Sequence, residues 1–255
     1  MVARGSRFRL ALPCLALGTW LALGSPAQAG AGDPARCAIG LASADAAGAD
    51  QARTRRPRSP VLSDRAAAAR VRCRPLELRP QNEENRHVPS RAELAAFRRA
   101  QVELPAYERH VTGGFVGTTD ELIQWAAWKW GINEDLVRAM AVRESGWDMD
   151  VVGDGGESFG MMQIKPRFHL GTDPLARRST AFTLDYYGAQ MRHYYDGRAT
   201  WLRRRSPRSR PYRAGDIWGS AGVWYAGRWY SAGALRYVAS VRAALAARAW
   251  ERPGF

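Results

Sequence analysis

Apolar residues recur at helical spacing through most of the chain beyond residue 90, and one carboxylate sits where that pattern calls for a hydrophobic side chain. Leu136, Met140 and Glu144 are spaced i, i+4 and i+8, and Val137 lies seven residues before Glu144, so all four share one helix face. That face is the one a fold buries. A carboxylate on it loses water, which disfavours its charged form and raises its pKa. A carboxyl that stays protonated near neutral pH is what a general acid needs.

The surrounding pattern predicts a mostly α domain. Ser90-Arg91-Ala92-Glu93 fits a capping box and opens a helix through about Gln101. Thr118-Thr119-Asp120-Glu121 is a second capping box, opening a helix through Trp130 with Gly131 just past its end. Asn133 is placed to cap the helix that carries Glu144. Residues 149–160 read as loop because Gly153, Gly155, Gly156 and Gly160 punctuate them. Met161–Ile164 reads as a short helix stopped by Pro166, and Thr183–Tyr195 and Ala234–Trp250 as further helices. Strand-like alternation is almost absent, and there is no internal repeat. The region is long enough for one hydrophobic core.

The N-terminal part is organised differently. Arg4, Arg7 and Arg9 precede an apolar stretch from Leu10 to Gly24, and Ala27-Gln28-Ala29 forms an A-x-A site. Residues 1–29 are therefore expected to be a signal peptide, cleaved after Ala29 and directing export. Cys14 lies inside the apolar stretch, behind Pro13, and fits a lipid anchor poorly. Residues 30–85 are dominated by Ala, Gly, Arg, Asp and Pro and are expected to be a low-complexity, disordered segment, with Ala66–Arg70 forming at most a short isolated helix. The folded domain is expected to span 86–255. Export permits a disulfide between Cys37 and Cys73, and the spacing does not decide whether it forms.

The net charge is +14, and loss of Arg4, Arg7 and Arg9 with no acid among residues 1–29 leaves +11. A basic exported protein is drawn to polyanions, here anionic cell-wall polymers or membrane surfaces. The run Arg203-Arg204-Arg205-Ser206-Pro207-Arg208-Ser209-Arg210-Pro211 fits either a solvated loop or such a contact. No zinc-finger or basic-zipper pattern is present, so nucleic acid is not an expected partner. His87, His110, His169 and His193 show no ligand pairing, and neither metal nor other cofactor is implied.

Two motifs carry a family resemblance. Glu144-Ser145-Gly146-Trp147, followed by Gly156-Glu157-Ser158-Phe159-Gly160-Met161-Met162-Gln163-Ile164, resembles the signature of soluble lytic transglycosylase (SLT) domains. A third motif is matched only in part by Val223-Trp224-Tyr225-Ala226-Gly227, in which Tyr225 and Gly227 fit and Ala226 replaces an Asn. The resemblance covers roughly residues 115–250. It implies a lysozyme-like helical fold with a glycan-binding cleft, acting on peptidoglycan strands as a monomer without stable membrane insertion. It further implies that Glu144 protonates the leaving glycosidic oxygen between N-acetylmuramic acid and N-acetylglucosamine. Glu144 then acts as base on the muramic-acid 6-hydroxyl, closing a 1,6-anhydro ring, while the substrate's acetamido group stabilises the cation-like centre.

The supporting residues expected at the site are Ser158, Met162, Gln163 and Tyr225. Ser158 and Gln163 offer hydrogen bonds to the sugar, with glycines letting backbone approach it. Met162 is expected under Glu144 as a dry wall, and Tyr225 against the acetamido group or Glu144 itself. Each has a plainer reading: loop capping for Ser158, ordinary core for Met162, an ion pair with an Arg for Glu144. Arg143 is too close in sequence to supply that pair. Trp125 and Trp128 read as core, and Trp224 or Trp229 as facing the cleft because they flank Tyr225. Asp148, Asp150, Asp154 and Glu157 read as turn formers, yet a second carboxylate among them would favour a hydrolytic muramidase. A wall-binding protein without activity, and a DNA binder with steep salt dependence, are the readings from other classes.

Overall fold

The computed structural model describes residues 60–74, 77, 78, 81 and 83–255. The expected signal peptide, Cys14, Cys37 and the low-complexity stretch up to residue 59 lie outside the described residues. The helices are α1 Asp64–Ala68, α2 Arg91–Ala100, α3 Thr119–Trp130, α4 Glu134–Ser145, α5 Leu175–Arg178, α6 Thr180–Tyr195, α7 Ile217–Ala226 and α8 Ala232–Ala246. A two-stranded antiparallel hairpin, β1 Val152–Gly153 with β2 Ser158–Phe159, pairs Val152 with Phe159 and Gly153 with Ser158. Short 3₁₀ turns cover Glu108–His110, Thr200–Arg205 and Ala249–Glu251.

Local chemistry sets the helix starts. Ser90 and Thr118 both form reciprocal capping boxes, with Glu93 and Glu121 accepting from the cap N–H. Asn133 caps α4 by accepting from the Leu136 N–H, and Gly131 and Gly146 end α3 and α4 in the left-handed conformation. Helix α6 is buried along its whole length and forms the centre of the domain, with α3 and α7 packed against it. Helix α8 packs on α7 and on α4, which brings two chain-distant helices to the end of α4.

At the centre of this packing is a buried charge. Asp185 on α6 is fully buried and accepts from Lys129 Nζ at 2.7 Å, Trp130 Nε1 at 2.6 Å and the backbone N–H groups of Thr112 and Gly113 at 2.8 and 3.0 Å. Lys129 also reaches Asp64 Oδ1 at 2.6 Å. A buried carboxylate is tolerated when its lone pairs are filled in this way.

Residues 60–74 correct the expected boundary at 86. The Leu62 N–H donates to the Lys129 carbonyl, Asp64 pairs with Lys129, the Arg72 N–H donates to Gln124 Oε1, and Arg74 pairs with Asp120 at 3.1 Å. Ala67 and Ala68 are buried, and α1 packs on α3 rather than standing isolated. This order comes from long-range pairs with α3, which local composition does not reveal. Cys73 is disulfide-bonded.

Two further expectations change. Met161–Ile164 is a turn, not a helix: Phe159 and Ile164 exchange both backbone hydrogen bonds, and Gly160 and Gln163 have φ of 71° and 51°. Positive φ is incompatible with a right-handed helix. Helix α7 was not expected, because Ile217–Ala226 is almost uniformly apolar or small and carries no helical contrast. The arginine run at 203–210 lies on the surface over a second small core of Leu202, Tyr212, Trp229 and Tyr230. Among the described residues no helix is long and apolar enough to cross a membrane.

The Asp185 network gives an ordered pair of predictions. Asp185→Ala leaves three N–H donors without an acceptor and Lys129 half-paired, and is expected to cost about 3–5 kcal/mol in urea unfolding. Asp64→Ala is expected to cost clearly less, since the Asp64 side chain is 34% exposed. Equal losses would contradict a network centred on Asp185.

Candidate active site

Glu144 is the penultimate residue of α4, on the stripe where Leu136, Val137, Met140 and Ala141 are buried. It emerges from that stripe partly buried and faces α7 and α8. The Tyr237 hydroxyl, from α8, donates to Glu144 Oε1, and the Trp224 indole, from α7, lies close enough to the carboxyl to favour its ionised form. Burial pushes the Glu144 carboxyl up from the ordinary 4.5 to about 7. The Tyr237 hydrogen bond, the nearby Trp224 indole and the Arg143 charge pull the other way, and the Asp154 charge adds to the rise. Desolvation prevails because the surroundings are aromatic.

Each aromatic is itself held. Tyr237 stacks face to face on Tyr225, centroids 4.7 Å apart and rings within 3° of parallel. Burial, then the neighbouring Glu144, keeps the Tyr237 hydroxyl protonated far beyond neutral pH, so it remains a donor. Trp224 stacks on His169 at 5.4 Å and meets Tyr187 edge-on at 5.0 Å. Burial pushes His169 down to about 4, so an uncharged imidazole supports the indole, with its Nδ1 2.9 Å from Tyr186 Oη. The Tyr187 hydroxyl donates to Met140 Sδ at 2.7 Å.

In front of the carboxyl is an open depression of about 210 Å³, lined by Glu144, Tyr225, Tyr237, Gly233, Ser240 and two arginines, Arg143 and Arg236. Among these described residues Glu144 alone carries a carboxyl. Tyr225 is 60% exposed and presents its ring to this space.

The structure divides the expected site residues. Glu144 and Tyr225 meet at the depression. Tyr225 does not bond Glu144; it backs Tyr237, which does. Ser158 is fully buried and donates to Gln163 Oε1 at 2.8 Å. Both amide hydrogens of Gln163 are committed, to the Val151 and Gly160 carbonyls at 2.9 Å each. These two residues therefore hold the hairpin and the turn to each other. Gly153 permits that contact, since a Cβ there would lie 2.3 Å from Gln163 Oε1. This glycine thus serves the loop's approach to itself rather than to a sugar. Met162 is fully buried in the same core as Met140. Trp229 belongs to the second core and does not face the cleft.

Of the four loop acids, Asp148, Asp154 and Glu157 have local partners. Asp154 pairs with Lys165 at 2.9 Å, and that hydrogen bond holds its pKa below the usual range. Glu157 pairs with Arg167 at 2.8 Å, and Asp148 accepts from the Asp150 N–H. Ser145 ties the end of α4 to the turn by donating to the Met161 carbonyl at 2.9 Å.

Sequence reasoning missed Tyr237 and the direct role of Trp224. Tyr237 repeats the signal that exposed Glu144, a polar atom on a stripe that otherwise buries Ala234, Val238, Val241 and Ala244.

The raised carboxyl sets a pH dependence of stability. Its folded pKa exceeds the unfolded value, so the native state binds more protons between about pH 4.5 and 7, and stability falls as pH rises through that window. Glu144→Gln removes the ionisation while keeping the shape. The variant is expected to match the parent at pH 4 and to exceed it by about 1–3 kcal/mol at pH 8 in denaturant unfolding. A variant that is less stable at pH 8 would mean that the ionised carboxylate is well solvated or well paired.

With this geometry in place, comparison with known proteins is direct. The family model for the Transglycosylase SLT domain matches residues 121–174. No curated protein and no solved structure matches the chain. The matched span carries α3, α4, the hairpin and the turn, and so Glu144, Ser158, Met162 and Gln163; Trp224, Tyr225 and Tyr237 come from beyond it. Such a domain implies a lysozyme-like fold, in agreement with the mostly helical architecture, and points to transglycosylase action on peptidoglycan. Over residues 121–174, therefore, the chain is similar to Transglycosylase SLT domains.

Proposed function

We propose that the protein is an exported peptidoglycan lytic transglycosylase. It cleaves the β-1,4 bond between N-acetylmuramic acid and N-acetylglucosamine and leaves 1,6-anhydromuramic ends. The observation that carries this reading is the one carboxyl among the described residues lining the depression, held by the Tyr237 hydroxyl beside the Trp224 indole and desolvated until its pKa lies near 7. A group so poised gives up a proton and takes one back at nearly equal cost.

The reaction uses that balance twice. Protonated Glu144 transfers its proton to the glycosidic oxygen as the bond to the muramic-acid C1 breaks. The resulting carboxylate is stabilised by the Tyr237 hydroxyl and the nearby Trp224 indole, neither of which can protonate it. It then accepts the proton of the muramic-acid 6-hydroxyl as that oxygen bonds to C1. The carboxyl is restored, and no water is consumed.

A hydrolytic muramidase would need a second carboxylate, about 6.5–9.5 Å away if inverting, to activate water. Three of the four loop acids, Asp154, Glu157 and Asp148, are engaged by Lys165, Arg167 and a turn N–H, which favours ring closure. A wall-binding protein without activity would have no use for a carboxyl kept protonated at the cost of burial.

The test is digestion of purified peptidoglycan with mass analysis of the products. The expected muropeptides are lighter than hydrolysed ones by one water, and Glu144→Gln yields none. Reducing ends would sink the transglycosylase reading in favour of hydrolysis. Activity of the parent is expected to fall above about pH 7 as Glu144 ionises. Tyr237→Phe removes a bond that favours the ionised form, so its alkaline limb should move to higher pH while kcat drops.

A further inference from the structure

The depression in front of Glu144 has an unusual charge balance for a site whose working group is a neutral carboxyl. Two guanidinium groups, Arg143 and Arg236, line it together with Glu144. Both arginines are exposed, and neither has an ion-pair partner among the described residues. Arg143 is fixed: its Nε donates to Ser240 Oγ at 3.0 Å, and Ser240 in turn donates to the Tyr237 carbonyl at 2.7 Å. Its two terminal nitrogens are left over. Gly233, Arg236, Tyr237 and Ser240 share one face of α8 by their spacing of three, one and three. The space over Gly233, which also lines the depression, is open: a Cβ there would meet nothing closer than Ser231 Oγ and Tyr225 at 4.0 Å.

Resting on the reading of the protein as a peptidoglycan transglycosylase, we propose that Arg143 and Arg236 form an anion subsite beside the scissile bond that binds a carboxylate of the muramyl residue. A guanidinium matches a planar carboxylate with paired donors, and two of them at one opening select for negative charge. The muramyl residue offers that charge from two sources. In strands stripped of peptide it is the lactyl ether's own carboxylate. In peptide-bearing strands the lactyl group is amidated, and the carboxylates belong to the stem peptide. Chitin-type glycans, built from N-acetylglucosamine alone, offer none.

The subsite also serves the chemistry. Unneutralised, Arg143 favours ionised Glu144, which works against a general acid. A substrate carboxylate seated on the arginines cancels that pull, so the substrate's arrival keeps the acid protonated. Glycans without the carboxylate bind without this benefit.

The experiment measures binding by titration calorimetry in Glu144→Gln, which separates affinity from turnover. Three glycans of equal length are used: peptide-bearing, peptide-stripped and chito-oligosaccharide. Arg236→Gln is expected to weaken binding of a carboxylate-bearing glycan about tenfold and to flatten its salt dependence, leaving the chito-oligosaccharide unchanged. Arg236→Lys is expected to fall between, because it keeps charge but loses the paired donors. Whichever of the two muramyl glycans shows the larger loss identifies the carboxylate's source. Equal losses on all three glycans, or no loss on either muramyl glycan, would overturn the proposal. Parallel digestion by the parent enzyme keeps the two readings apart: failure to cleave refutes the transglycosylase reading, while the binding comparison still decides the role of the arginines.

Discussion

The withdrawal of the Glu144 carboxyl from water is the constraint on which the site depends. Its cost is imposed by the α4 stripe behind it and by aromatic rings in front, and the Tyr237 hydrogen bond with the Trp224 indole offsets part of that cost. Were desolvation weaker, the carboxyl would be ionised at neutral pH and could not act as the acid of the proposed mechanism. Were Tyr237 and Trp224 absent, it would hold its proton too firmly for the base step proposed. The balance near pH 7 is therefore a property of three helices meeting, not of the residue alone.

That meeting is secured some distance away. Helix α6 runs through the interior, and Asp185 on it fixes Lys129 and Trp130 of α3, with Asp64 of the upstream segment joining the same lysine. The α3 end in turn leads through Gly131 into α4, whose far end carries Glu144. On the other side α7 and α8 pack together and deliver Trp224 and Tyr237 to the carboxyl. The hairpin is self-contained: Ser158, Gln163 and Gly153 lock it, and Ser145 ties it to the end of α4. The matched domain at 121–174 thus supplies the acid, and helices beyond it supply the groups that tune it.

What was legible in the sequence follows from the range of the interactions involved. The caps at Ser90, Thr118 and Asn133 use donors and acceptors within three residues, so spacing alone reveals them. Glu144 stood out because helical geometry makes its neighbours at i−4, i−7 and i−8 visible. Its partner Tyr237 lies 93 residues away, beyond any local pattern. The order of residues 60–74 is hidden from the sequence for the same reason, since it rests on pairs such as Lys129 with Asp64, separated by 65 residues. The partial motif match points to Tyr225 as the partner of Glu144, but consecutive helical residues such as Trp224 and Tyr225 point in directions about 100° apart. Which of them faces Glu144 depends on where α7 begins, and that apolar helix carries no periodic signal. The turn at 161–164 hides behind Gln163, a residue with a side chain in a backbone conformation that favours glycine.

The most direct test of this account is the ionisation of Glu144 itself. Carbon-13 labelling of glutamate side-chain carboxyls, with the Glu144 resonance assigned by its loss in Glu144→Gln, allows the group to be titrated by NMR. A midpoint near pH 7 is the result predicted by desolvation opposed by the Tyr237 hydroxyl and the Trp224 indole. A midpoint near 4.5 would mean that the carboxyl remains solvated, and would contradict the account of this site as built around a single proton-holding acid.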